Sequence, residues 1–107
     1  MSLELLFQAM KEKINITEIM YLEADANYTI LHLKSGEKII SGYHLAHHTK
    51  QFEKEISFIR PNRKYAVNID FISECKQDVL RVNQLKIPIS RRRKETVRTL
   101  IPKYQVA

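Results

Sequence analysis

Short runs of alternating apolar and polar residues, rich in β-branched and aromatic side chains, recur along this chain and constrain its fold more than any other feature. Ile19 to Glu23 is the first such run. Tyr28 to Lys34 places Thr29, Leu31 and Leu33 on one face, and Ser35-Gly36-Glu37 then turns the chain into Lys38 to Tyr43, which predicts a hairpin. Val67 to Lys76 and Val79 to Val82 flank Gln77-Asp78, and Leu85, Ile87 and Ile89 alternate with Lys86 and Pro88 in a further strand. Pro88 cannot donate to a ladder, so this last strand is expected at a sheet edge or ending there.

Two stretches follow the helical period instead. From His44 to Ile56, the residues Leu45, His48, Phe52 and Ile56 recur every three or four positions and line one face, while Lys50, Glu53, Lys54 and Glu55 point outward. This predicts one short helix packed on a sheet. After Ser90, a candidate N-cap, Arg91 to Ile101 carries Lys94, Val97, Arg98 and Ile101 at helical spacing until Pro102 stops the run, a basic C-terminal helix. The first dozen residues fit either state, since Leu3, Leu6, Phe7 and Met10 suit a helix and Leu5, Phe7 and Ala9 a strand; local propensity favours the helix.

With 107 residues the chain has room for one domain, and no repeat, low-complexity tract or Gly/Pro/Ser linker divides it. No apolar run reaches the length of a membrane span, and the N-terminus lacks the signature of a signal peptide. The single Cys75 lies within a predicted strand and cannot close an intramolecular disulfide, so a small buried hydrophobe and a reducing cytoplasm are expected. No phosphate-cradling glycine loop, nucleophile elbow, Cys-x-x-Cys or His-Glu-x-x-His motif is present, which argues against an enzyme and for no cofactor. His44 and His48 stand four apart, but no third ligand accompanies them at suitable spacing, so no metal site is expected.

Charge discriminates further. The formal net charge is +6, and it is unevenly placed: residues 1–59 hold 6 basic and 8 acidic side chains, residues 60–107 hold 12 and 4. Such asymmetry points to a polyanion, nucleic acid or an anionic membrane face. The cations concentrate in Arg60-Pro61-Asn62-Arg63-Lys64, where Pro61 and Asn62 favour a loop, and in Arg91-Arg92-Arg93-Lys94. Arginine can fork onto guanine or a phosphate and asparagine onto adenine, so such loops can read bases. Cations at a helix N-terminus oppose the macrodipole, a mismatch that an anionic partner would relieve.

Three motifs, in this order, carry a resemblance. Tyr21-Leu22-Glu23-Ala24-Asp25-Ala26-Asn27-Tyr28 is similar to Y-[IL]-E-A-x-x-N-Y, RPNRKYAVN from Arg60 to Asn68 to R-x-H-R-S-[YF]-x-V-N, and Ile87-Pro88-Ile89-Ser90-Arg91-Arg92 to [IL]-P-V-S-R-R. Over residues 14–101 the chain thus resembles the LytTR-type DNA-binding domain of bacterial transcriptional response regulators, with 1–13 as an N-terminal segment and 102–107 as a tail. The resemblance implies a mainly β, elongated fold of small antiparallel sheets with one short helix on a sheet and a basic C-terminal helix. It implies loops that enter successive major grooves of double-stranded DNA, two copies on tandem half-sites, and an upstream receiver or sensor partner. Carried over by motif position, the base-reading residues are Asn27 or Tyr28, Arg63 and Arg91, and the backbone-binding residues Arg60, Asn62, Lys64, Arg92 and Arg93; Glu23, Tyr65, Val67 and Asn68 hold loops and core.

Asn62 stands where the family usually has His, and Lys64 where it usually has Ser. Both fall in the central loop, so the preferred base sequence is not inherited. The competing reading is a β-rich RNA or single-strand binder, whose stacking surface would rest on Tyr21, Tyr28 and Tyr43 without any Trp. A protein-interaction module with a basic docking face is a third.

Overall fold

The computed structural model describes residues 15–101, so the expectations for segments 1–13 and 102–107 lie outside the described residues. Asn15, the first described residue, accepts the Thr17 amide in a 3-10 turn at Ile16–Glu18. Three strands follow, β1 (Ile19–Asp25), β2 (Tyr28–Leu33) and β3 (Lys38–Ser41), and then helix α1 (Leu45–Gln51). After β4 (Phe58–Ile59) and β5 (Tyr65–Asn68), a 3-10 turn at Ile69–Phe71 leads into β6 (Glu74–Lys76), β7 (Val79–Val82) and β8 (Leu85–Pro88). A 3-10 turn at Arg91–Arg93 runs into helix α2 (Lys94–Leu100). The strands form two antiparallel sheets, one in the order β3-β2-β1-β5-β4 and one in the order β6-β7-β8. The mainly β architecture and both helices agree with the expectation, and the principal extents of 49 × 24 × 24 Å are elongated.

A bulge in β1 explains how one sheet serves two cores. Ile19 pairs with Leu33 and Tyr21 with His32, which leaves Met20 as the extra residue. Met20 and Tyr21 therefore join one apolar cluster, whereas Ile19 and Leu22 join the other. On the first side lie Ile59, Val67, Leu80, Ile87, Val97 and Ile101, contributed by the five-stranded sheet, the second sheet and α2 with the residue that follows it. On the opposite side Leu31, Leu33, Leu45, Phe52, Ile56 and Ala66 pack between the larger sheet and the α1 region. That sheet is thus the middle layer, and each fully buried apolar side chain contributes about 1.5–3 kcal/mol relative to exposure.

The α1 stretch is shorter than the expected His44 to Ile56, yet its inward face is as expected. Leu45, His48, Phe52 and Ile56 are all buried, because after Gln51 the amides of Phe52 and Ile56 keep turning onto the carbonyls of His48 and Phe52. Val67 to Lys76, expected as one strand, is a correction. Asn68 ends β5 by accepting the Asp70 amide at 3.0 Å and donating to the Ile19 carbonyl at 2.8 Å. Its side chain offers the backbone a 3-10 turn in place of the ladder, so β5 and β6 belong to different sheets. The C-terminal run is likewise divided into a 3-10 turn and α2, and Ser90 holds the N-cap position without a side-chain capping bond. Pro88 ends β8 at the edge of its sheet, as expected. Cys75 is a buried free thiol, and burial, with Asp78 nearby, pushes its pKa up. Among the described residues, no helix is long and apolar enough to cross a membrane.

Four turns among the described residues take left-handed backbone, at Ala26, Gly36, Gln77-Asp78 and Asn83. Gln77 and Asp78 sit at φ 51° and 63° between β6 and β7, as a two-residue hairpin loop with a right-handed strand twist requires. Ala26, at φ 53° in the β1–β2 turn, is the notable one, since alanine has no side-chain group to offset the steric cost of that conformation.

Candidate nucleic-acid interface

The antiparallel register brings three loops distant in sequence to one end of the molecule. Asp25 pairs with Tyr28, which leaves Ala26 and Asn27 as the β1–β2 turn. Beside it, Tyr65 pairs with Glu23, and the Ala24 amide donates to the Lys64 carbonyl at 2.7 Å, so the β4–β5 loop emerges at the same end. The segment after β8 is tied to that loop twice: the Ser90 amide donates to the Pro61 carbonyl at 2.9 Å and the Asn62 Nδ2 to the Pro88 carbonyl at 2.7 Å. The first, second and third sequence motifs therefore meet, although none of them touches another in sequence.

Asn62 organises this junction. Besides its bond to Pro88, its Oδ1 accepts the amides of Lys64 at 2.8 Å and Tyr65 at 3.1 Å. The sequence reading placed Asn62 on the nucleic-acid backbone, whereas its amide is engaged here in shaping the loop. Asn62→Ala is expected to cost about 1–2 kcal/mol of stability, measured as a shift of the urea midpoint at constant m-value, because three hydrogen bonds lose their partner at once.

The cations at this end are numerous and mostly unpaired. Arg63, Arg91 and Arg92 are exposed and have no carboxylate in salt-bridge range among the described residues. Arg60 is partly buried and donates from Nη2 to the Arg63 carbonyl at 3.2 Å, while its Nε is buried with no partner among the described residues. Burial, and then the nearby Arg93 guanidinium, pull the Arg60 pKa down, although an arginine stays charged at neutral pH. Asn27 is exposed in the turn, and Tyr28 beside it is 57% exposed. Lys94, by contrast, is held by Asp78 at 2.8 Å, with Arg98 on the same carboxylate at 3.8 Å.

Beneath the loops lies a network of which Glu23 and Tyr65 were expected to hold the loops and core, but not His32 or the pairing of Glu23 with Lys64. Glu23 accepts from His32 Nε2 at 2.9 Å through Oε1, and its Oε2 lies 3.5 Å from Lys64 Nζ, which also sits 5.7 Å from the Tyr65 ring centroid. The His32 ring stacks on Tyr21 at 4.2 Å, and Tyr21 meets Tyr65 edge-on at 5.8 Å. Burial, then Glu23 and Tyr65, push the Tyr21 phenol pKa up. The only signal for His32 was its strand register against Tyr21, which the β1 bulge hides from a count of alternation. Among the described residues no group of three or more His, Cys, Asp or Glu side chains could hold a metal, and His44 is exposed while His48 is buried against Ser41.

A two-sheet β domain that gathers three loops and all of its described arginines without a carboxylate partner at one end defines the structural class. The chain belongs to the LytTR family, described as the LytTr DNA-binding domain, which matches residues 11–102. Its fold is similar to that of a LytTr DNA-binding domain from a methyl-accepting/DNA response regulator of Bacillus cereus, with a TM-score of 0.72 at 23% identity over 82% of this chain and 84% of that one. No curated protein matches the chain.

Proposed function

We propose that this domain binds double-stranded DNA in a sequence-specific manner and regulates transcription, its loops entering the major groove and two copies occupying tandem half-sites. The observation that carries the reading is the convergence of Asn27, Arg63 and Arg91, exposed and free of acidic partners among the described residues, on three loops joined by backbone and Asn62 hydrogen bonds. Arg63 and Arg91 are the base readers, with Asn27 or Tyr28 from the first turn. Arg60, Lys64, Arg92 and Arg93 contact phosphates and set position without reading sequence, while Asn62 acts by shaping the loop. The domain works by binding and not by catalysis. A receiver or sensor supplies the signal, and the cytoplasm is where a bacterial regulator of this kind meets DNA.

Selection from random duplexes at ~150 mM salt tests the reading, and two similar short elements about one helical turn apart are the expected product. Retention without any motif would leave a non-specific polyanion binder, and preference for single-stranded RNA in competition would move the function to that class. Arg63→Ala and Arg91→Ala are each expected to cost about 1–3 kcal/mol on the selected site and to relax preference at one base pair. Equal losses on selected and random duplexes would remove the base-reading role.

A further inference from the structure

We propose that Glu23 is a positioning residue for Lys64, holding its ammonium group in the free protein and competing with phosphate for it. The inference rests on the reading that the β4–β5 loop faces the duplex. Glu23 and Lys64 belong to different sequence motifs, and the pairing of β1 with β5 brings the carboxylate and the ammonium group together.

The geometry divides the work between the two oxygens of one carboxylate. His32, itself stacked on Tyr21, fixes Oε1 at 2.9 Å, and that anchor turns Oε2 toward Lys64 at 3.5 Å. The Glu23 side chain is 21% exposed and that of His32 11%, so the anchor is largely shielded, whereas Lys64 at 58% is open to an incoming strand. A phosphate that takes Lys64 must first separate its ammonium group from Glu23. Arg63, Arg91 and Arg92 have no such internal competitor among the described residues. Lys64 thus contributes less to non-specific affinity than its exposure suggests, and Glu23 sets how much less.

The test is a double-mutant cycle of Glu23→Gln and Lys64→Ala, read as affinity for a random-sequence duplex and its salt dependence. Glu23→Gln keeps the shape and an acceptor for His32 but removes the charge. It is expected to tighten binding about threefold, the size of an exposed ion pair, and to steepen the salt dependence. In the Lys64→Ala background the same substitution is expected to do almost nothing. Glu23→Asp, which keeps the charge but withdraws it by one methylene, is expected to shift affinity in the same direction by less. Loss of affinity in Glu23→Gln, no change, or a gain that persists in full without Lys64 would each overturn the proposal, the last by showing that Glu23 repels the duplex directly. If the unaltered protein retains no duplex, or Lys64→Ala does not weaken retention, the reading of the loop itself fails.

Discussion

Raising salt from ~50 to ~200 mM is expected to weaken binding of this domain to duplex DNA by about 10³-fold, the largest effect its surface predicts. Six cations stand at the proposed reading end, namely Arg60, Arg63, Lys64, Arg91, Arg92 and Arg93, and only Lys64 among them has a carboxylate partner within the described residues. Each phosphate neutralised releases condensed counterion, so about six contacts give a slope of roughly −5 in log K against log salt. Titrations at four or five salt concentrations on a selected duplex measure that slope directly. Arg92→Ala should flatten it by about one unit with little change in base preference, the signature of a phosphate contact. A slope near −1 in the unaltered protein would mean that these cations face solvent and not the strand. Lys94, adjacent in sequence, is expected to contribute less because Asp78 already holds it at 2.8 Å.

Much of the fold and of the reading end was legible because the determinants are local. Arginines in runs, an Asn beside a Pro, and strands that alternate around Ser35-Gly36-Glu37 declare themselves in a few residues, and that hairpin formed where expected. What escaped depends on register or on contacts made across long separations. The bulge at Met20 shifts Tyr21 onto the face of His32, and no count of alternation in β1 shows where an extra residue sits. Ile69 and Phe71 flank Asp70 as they would in a strand, yet Asn68 bonds the Asp70 amide and the distant Ile19 carbonyl and so ends β5 early. Asn62 reads as a contact residue until its bond to Pro88, 26 positions away, shows that the loop needs it for its own shape. Glu23 and Lys64 belong to different motifs, and only the pairing of β1 with β5 makes them neighbours.

His48 carries the second large expectation, loss of stability in mild acid. It is fully buried in α1, its Nε2 lies 2.8 Å from Ser41 Oγ, and its ring stacks on Phe52 at 6.0 Å and meets Tyr43 edge-on at 5.9 Å. Burial first, and then the neighbouring His47, lower its pKa to about 4, while a hydrogen bond with Gln51 acts in the opposite direction. The unfolded chain binds that proton near pH 6.5, before the folded protein does. Stability from this group is therefore complete above about pH 6.5 and declines as pH falls toward 4, with a total of about 3 kcal/mol. Urea unfolding at intervals from pH 7 to 4 measures it, and the comparison with His48→Gln separates it from the carboxylates, which titrate in both proteins. The variant is expected to start less stable at pH 7 and to lose less between pH 6.5 and 4. Parallel curves for the two proteins would mean that His48 protonates without resisting burial. A helix face of Leu45, His48, Phe52 and Ile56 thus uses its histidine as a neutral packing residue, hydrogen-bonded to Ser41 and closed off from solvent.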